Sequence, residues 1–301
     1  MVKRPPRTPF PSAEQDLESA RLCPSTPQTC SPSYRLAYAD ADFMMRDELR
    51  PVRLQVELLK PELLQQEHGI DATVVVFGSA RLADPETAQQ QLAEAEEASR
   101  RSPGDPAAQR LLLQARRAVA NARYYGEARK LGQLVSGVGK ANGGAGLVVI
   151  TGGGPGIMEA ANRGAHDVGA KSIGLNIVLP FEQAPNPYIT PELSFQFHYF
   201  AIRKMHFLMR ARALVAFPGG FGTLDELTDT LTLVQTKKIA PVPVILFGKE
   251  FWARVIRFDA LAEEGMIAEK DLDLIRFVDT AEEAAAIVSA TVGNPAAPAG
   301  S

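Results

Sequence analysis

Two glycine-rich stretches hold the residues whose type and spacing best suit chemistry. Gly152-Gly153-Gly154-Pro155-Gly156 follows the apolar run 147–150, and Pro218-Gly219-Gly220-Phe221-Gly222-Thr223 follows the run 213–217. Both precede segments with helical spacing. Glycines let backbone N–H groups approach a ligand, and a helix start adds unpaired donors with about half a positive charge. Such a turn suits a phosphate. Neither continues into Gly-Lys-Ser/Thr and neither has the GxGxxG spacing, which disfavours a triphosphate or NAD site. Two readings stand side by side: tight strand-to-helix turns, or seats for a nucleotide monophosphate or sugar phosphate.

Glu226 lies just beyond the second stretch and is also open to two readings. Thr223-Leu224-Asp225-Glu226 has the spacing of a capping box, in which the glutamate bonds back to the N-cap amide. Alternatively, a carboxylate in the first helical turn beside a phosphate could stabilise the oxocarbenium character of a breaking glycosidic bond, or activate water. Arg203 and Lys204 open a predicted helix over 201–212. Cations there oppose the helix dipole, so they form either a solvated pair or a pair that needs an anionic ligand or Glu226. His206 and Arg210 share that helix, and nothing favours catalysis over packing for them.

The elements that position these residues alternate in type. Short apolar, β-branched runs at 73–77, 147–150, 172–177, 195–199, 213–217 and 242–247, with a seventh at 275–278, are separated mostly by longer helical stretches, the pattern of βαβ units around a buried parallel sheet. The 42 residues between Arg81 and Tyr124 read as a polar helical hairpin turning at Pro103-Gly104-Asp105-Pro106. Residues 124–135 read as a helix packed on the sheet. Residues 44–66, interrupted by Pro51 and Pro61, predict one or two short helices.

Composition excludes several classes. Of 22 prolines, seven precede residue 33, so 1–35 reads as a flexible Pro-rich tail, followed by a helical extension over 36–70. The expected catalytic domain spans 71–290 with the helical insertion at about 82–120, and 291–301 is a second flexible tail. The net charge of −3 gives no basic field for nucleic acid or an anionic membrane. No apolar run is long enough for a membrane helix, and no apolar stretch follows the basic N-terminus, so the expected location is cytoplasmic. Cys23 and Cys30 lack zinc or redox spacing, and four scattered histidines offer no metal site.

The segment Arg203-Lys204 … Pro218-Gly219-Gly220-Phe221-Gly222-Thr223-Leu224-Asp225-Glu226 resembles the RK…PGGxGTxxE signature of the LOG (Lonely Guy) family of phosphoribohydrolases, long mislabelled as lysine decarboxylases. Phe77-Gly78-Ser79-Ala80-Arg81, the helix 124–135 and the stretch 152–165 resemble further family elements, and the similarity covers roughly 70–250. Met158-Glu159 in place of Met-Gly, the insertion and the N-terminal extension are similar to the longer bacterial branch.

The resemblance implies an α/β fold, a Rossmann-like three-layer α/β/α sandwich with a mostly parallel sheet, assembled as dimers or hexamers. It implies hydrolysis of the N-glycosidic bond of AMP or of N6-modified (cytokinin) riboside 5′-monophosphates, without cofactor or metal. Carried over by residue, Arg203 and Glu226 are catalytic, Gly219, Gly220, Gly222 and Thr223 bind phosphate, and Lys204, Asp225 and Glu182 line the pocket. Gly78, Ser79, Gly153, Gly154 and Gly156 complete the expected substrate contacts. Decarboxylation needs an electron sink such as pyridoxal phosphate on a lysine, which no lysine here is marked to hold. The competing reading is a non-catalytic nucleotide or cofactor carrier of Rossmann-like fold, which has no need of the Arg203/Glu226 pair.

Overall fold

The computed structural model describes residues 10–138, 146–180 and 184–292. The chain divides into two compact units, with the division after Glu57. In the first, α1 (Ala13–Arg21) and α2 (Ala41–Met44) precede α3 (Arg50–Glu67), which continues into the second unit. α1 lies inside the segment expected to be a loose tail. Its cause is local: the Ser12 hydroxyl accepts from Gln15 N while the Gln15 side chain accepts from Ser12 N, a complete capping box. No α1 residue is buried.

α3 corrects a second expectation, because the helix runs through both prolines. Pro51 falls in the first turn, where an N–H has no helical partner to lose. Pro61 is buried within the helix.

In the second unit β1 (Thr73–Phe77) is followed by α4 (Pro85–Arg101), α5 (Pro106–Asn121) and α6 (Arg123–Gly137). Then come β2 (Val148–Thr151), α7 (Ile157–Asp167), β3 (Ser172–Ile177), β4 (Ser194–Phe197), α8 (Phe200–Leu208), β5 (Ala211–Ala216) and α9 (Phe221–Gln235). β6 (Val244–Phe247), α10 (Lys249–Val255), α11 (Phe258–Glu263), β7 (Ile275–Val278) and α12 (Ala281–Val292) complete it. The helix expected over 201–212 ends at Leu208, because Ala211 already pairs with Thr73 in the sheet. Of the expected C-terminal tail, residues 291 and 292 close α12 and 293–301 lie outside the described residues.

The seven strands form one sheet in the order β4-β3-β2-β1-β5-β6-β7, every neighbouring pair parallel. Alternation along each strand supplies two cores. Val74 and Val76 of β1 pack with α6, α7 and α12 on one face, whereas Val75 and Phe77 join Phe207 of α8, Leu227 of α9 and Trp252 of α10 on the other. The result is a three-layer α/β/α sandwich.

The predicted hairpin is present as α4 and α5. Each helix opens on an aspartate, Asp84 or Asp105, whose carboxylate accepts two first-turn N–H groups, with proline at the first helical position. Alanines seven residues apart, Ala88/Ala95 and Ala108/Ala115, are the buried residues of the two helices, a narrow small-residue seam.

Strand order reverses between β1 and β5. In an open parallel sheet this switch point leaves a crevice beyond the strand C-termini, where the loops diverge to opposite faces.

Candidate active site

The two strand ends at the switch point stay tied just past the sheet. Phe217 N donates to Phe77 O at 2.8 Å and Ser79 N to Pro218 O at 2.9 Å. This brings Gly78-Ser79 beside Pro218-Gly219, and a cleft of about 730 Å³ opens there. Gly78, Ser79, Arg203, Gly219, Gly220, Gly222, Thr223, Asp225 and Glu226 all line it, so the sequence readings converge on one place.

The second glycine stretch opens α9 differently from the expected capping box. The N-cap is Gly220, without a side-chain cap, and Thr223 is the third helical residue. Glu226 therefore sits in the second turn, beyond reach of a reciprocal N-cap bond, and the capping-box reading is overturned. The first two helical amides, Phe221 N and Gly222 N, have no helical acceptor and belong to residues that line the cleft, whereas Thr223 N donates to Gly220 O at 3.0 Å. A side chain at Gly220 or Gly222 would meet open space, so the protein leaves this room unfilled.

Burial dominates the electrostatics of Glu226, which is 6% exposed. Desolvation pushes its carboxyl up to about 7, with Lys204 and Arg203 working against the rise and Asp225 and Asp229 adding to it. The expected stabilisation of the anion by the helix start is thus outweighed. Arg203 is the fourth residue of α8. Its Nε donates to Leu175 O at 2.7 Å, its guanidinium lies 5.2 Å from the Phe207 ring centre, and a Cβ on Gly152 would come within 2.7 Å of its Nη2. Burial pulls its pKa below the usual range, opposed by the charge of Glu226.

Lys204 turns toward α9 and does not line the cleft. Its Nζ donates to Asp225 Oδ1 at 2.8 Å and lies 3.8 Å from Asp229 Oδ2. Desolvation lowers its pKa, but the bond to Asp225 and the charges of Glu226, Asp229 and Asp225 more than offset this and raise it.

The first glycine stretch is closed in by protein. Gly153 N donates to Thr151 Oγ1 at 3.0 Å, while Asn186 Nδ2 donates to Gly153 O and Gly154 O, each at 3.1 Å. Gly153 and Gly156 have φ of 77° and 73°, and a Cβ on Gly156 would fall against Ser79 O. Ile157 N, at the start of α7, donates to Ser79 O at 3.2 Å. Gly152 and Met158 line the cleft, whereas Gly153, Gly154 and Gly156 serve the packing behind it. Glu182 lies outside the described residues.

Residues 158–288 match the family model described as "Possible lysine decarboxylase". The cytokinin riboside 5′-monophosphate phosphoribohydrolase LOG of Oryza sativa subsp. japonica is 32% identical over 143 residues, covering 46% of this chain and 57% of that protein. The corresponding LOG3 protein of Arabidopsis thaliana is 29% identical over 140 residues, covering 45% and 63%. The chain is similar to the LOG family. It matches somewhat more than half the length of these relatives. Among solved structures, the molybdenum cofactor binding protein of Rippkaea orientalis aligns with a TM-score of 0.40 at 22% identity, covering 56% of this chain and 88% of that one.

The LOG resemblance located the two ends of the cleft, but several groups around it had no sequence signal. Asn186 clamps a turn 33 residues earlier in the chain. Its Nδ2 also donates to Asn162 Oδ1 at 3.0 Å, and Thr151 Oγ1 donates to the same oxygen at 2.7 Å. Leu175 O acts through its backbone alone, and Asn121 and Phe251 reach the rim from distant helices. No helix of the described residues is long and apolar enough to cross a membrane.

Proposed function

We propose that this protein hydrolyses the N-glycosidic bond of a nucleoside 5′-monophosphate, AMP or an N6-modified (cytokinin) riboside monophosphate, to free base and ribose 5-phosphate. One observation carries the reading: Glu226 is buried in the cleft, on the helix that opens at the unfilled glycine turn, with its carboxyl raised to about 7. A carboxylate that only capped a helix or solvated a surface would have no such burial.

The substrate's 5′-phosphate accepts from the N–H groups of Phe221 and Gly222, residues that line the cleft at the positive end of α9. That remote contact orients the ribose so that its anomeric carbon faces Glu226. As the C1′–N bond breaks, its electron pair leaves with the base, and the Glu226 carboxylate opposes the positive charge growing on the sugar. Water then bonds to C1′ and gives up a proton to Glu226, the departing base takes one from solvent, and Glu226 returns its own to solvent, so the sum is addition of one water. Arg203 keeps part of the Glu226 population ionised and supplies a fixed positive charge beside the cleft. No cofactor takes part in this scheme. Lysine decarboxylation finds no support, because no described cleft residue is a lysine that could carry a Schiff base. Self-association as a dimer or hexamer belongs to the same reading, and light scattering tests it.

Incubating the protein with AMP and with isopentenyladenosine monophosphate, followed by chromatography, is expected to show free base and ribose 5-phosphate. Tight monophosphate binding with no base released over hours would establish a carrier instead.

A further inference from the structure

The hairpin α4–α5 is the feature least explained by glycoside hydrolysis. Its last residue, Asn121, lines the main cleft and also a second cleft of about 660 Å³, and Phe251 of α10 is likewise shared. The second cleft is cationic. Arg117 on α5, Arg123 at the start of α6 and Arg254 on α10 line it, against a single acid, Glu250. Arg117 lies one turn before Asn121, so the insertion presents both from one helix face.

These cations are available to a ligand. Arg123 Nη2 donates to Tyr124 Oη at 2.9 Å, and its guanidinium lies 4.7 Å from the centre of that buried ring. A neutral partner orients the fork and leaves its charge uncompensated. Arg117 and Arg254 are exposed and have no ion pair among the described residues. Three planar forks around one concavity match phosphoryl oxygens, which accept paired N–H bonds from guanidinium.

We infer that this second cleft is an anion subsite for a phosphoryl group, of the diphosphate or phosphate-monoester type, coupled to the catalytic cleft through Asn121 and Phe251. Two sources share that chemistry: a separate phosphorylated metabolite, or a second phosphate on the ligand already in the main cleft. The inference goes beyond the proposed hydrolysis and does not need it.

The test is calorimetry on the full chain. Inorganic pyrophosphate is titrated into Glu226→Gln saturated with AMP, with and without Arg117→Ala and Arg254→Ala, both exposed positions that spare the core. AMP and adenosine 3′,5′-bisphosphate are compared on the same proteins. One-to-one pyrophosphate binding over AMP, weakened about tenfold or more by the arginine changes, supports a separate ligand. No such binding, but a bisphosphate about tenfold tighter than AMP whose advantage disappears with the arginines, supports a second phosphate on one ligand. If neither pyrophosphate nor the bisphosphate senses Arg117 and Arg254, the subsite is overturned. Should AMP fail to bind, the hydrolase reading is in difficulty, and pyrophosphate titrated alone still decides the subsite by the same arginine dependence.

Discussion

The two glycine-rich turns look interchangeable in the sequence and have different jobs in the fold. At 152–156 the backbone is taken up by the protein itself: Thr151, Asn186 and Ser79 bind its N–H and C=O groups or those beside it, and two glycines hold positive φ. At 219–222 a Cβ on Gly219 would strike the Thr223 side chain, but Gly220 and Gly222 have no neighbour that a side chain would meet. The same residue type thus answers to internal packing in one place and leaves the backbone accessible in the other. The helices that follow repeat the contrast. Glu159 on α7 accepts a hydrogen bond from Tyr125 Oη at 2.8 Å, whereas Glu226 on α9 is buried facing the cleft.

The largest test of this contrast exchanges each acid for its amide. Glu226→Gln is expected to reduce kcat for base release by about a thousandfold, while calorimetry still detects monophosphate binding, since only the charge is removed. Glu159→Gln should leave kcat within about twofold, the amide oxygen still accepting from Tyr125. Similar losses in both variants, or none in either, would erase the distinction between the turns.

The next effect is on the glycines. Gly156→Ala forces a Cβ against Ser79 O at a φ of 73°, and urea denaturation should register a loss of about 3 kcal/mol or more. Gly222→Ala enters open space in the first turn of α9, and its stability should stay within about 1 kcal/mol of the parent. On the proposed reading the cost there appears as a higher KM, because the methyl would crowd a phosphate held at this turn. A stable Gly156→Ala protein would show that the first turn is less tightly packed than its contacts imply.

Burial of Glu226 also links the open turn to pH. Its folded-state pKa of about 7 lies above its ordinary 4.5, so between those values the folded chain holds more protons than the unfolded one. Stability therefore falls as pH rises through that window and levels off above it. Glu226→Gln removes the penalty and should be more stable than the parent by roughly 2–3 kcal/mol at pH 8, with no advantage at pH 4. If the parent protein hydrolyses nucleotides as proposed, its kcat/KM should climb about tenfold per pH unit below 7 and flatten above, as the carboxylate form fills. A flat profile from pH 5 to 8 would mean that ionised Glu226 is not required.

Much of this molecule was legible in the sequence because its signals are local. The buried strand Thr73–Phe77 is an uninterrupted run of apolar and small residues, Ser172–Ile177 is one except at Asn176, and the bounds of both were read without error. The hairpin turn at Pro103-Gly104 is equally local. Glu226 shows where local reading stops. The capping-box spacing from Thr223 was present, but the helix begins earlier, at Phe221, because the strand-end tie between Ser79 and Pro218 fixes where the chain can turn. The burial that raises its carboxyl is a product of the tertiary fold, which no window around residue 226 contains. Pro61 is a similar case: its effect on α3 depends on the buried surroundings it enters.

The smallest expected effect separates support from contact. Asn186 touches no cleft surface, yet its Nδ2 serves Gly153 O, Gly154 O and Asn162 Oδ1, while its Oδ1 accepts from Tyr188 N at 3.2 Å. Asn186→Ala takes the donor from Gly154 O, while Gly153 O keeps the Asn186 backbone N–H and Asn162 Oδ1 keeps Thr151 Oγ1, and should cost about 1–2 kcal/mol of stability. Gly152 lies against the Arg203 guanidinium, so loosening the turn also gives Arg203 more freedom at the cleft. The signature of such a positioning role is a several-fold fall in kcat with KM nearly unchanged, because the glycine turn that opens α9 is untouched. Asn186→Asp keeps the acceptor for Tyr188 but reverses the polarity toward three oxygens, so it should be worse than alanine in both stability and kcat. If alanine and aspartate behave alike, the clamp acts through side-chain volume, and the closed turn is held by packing instead of by its hydrogen bonds.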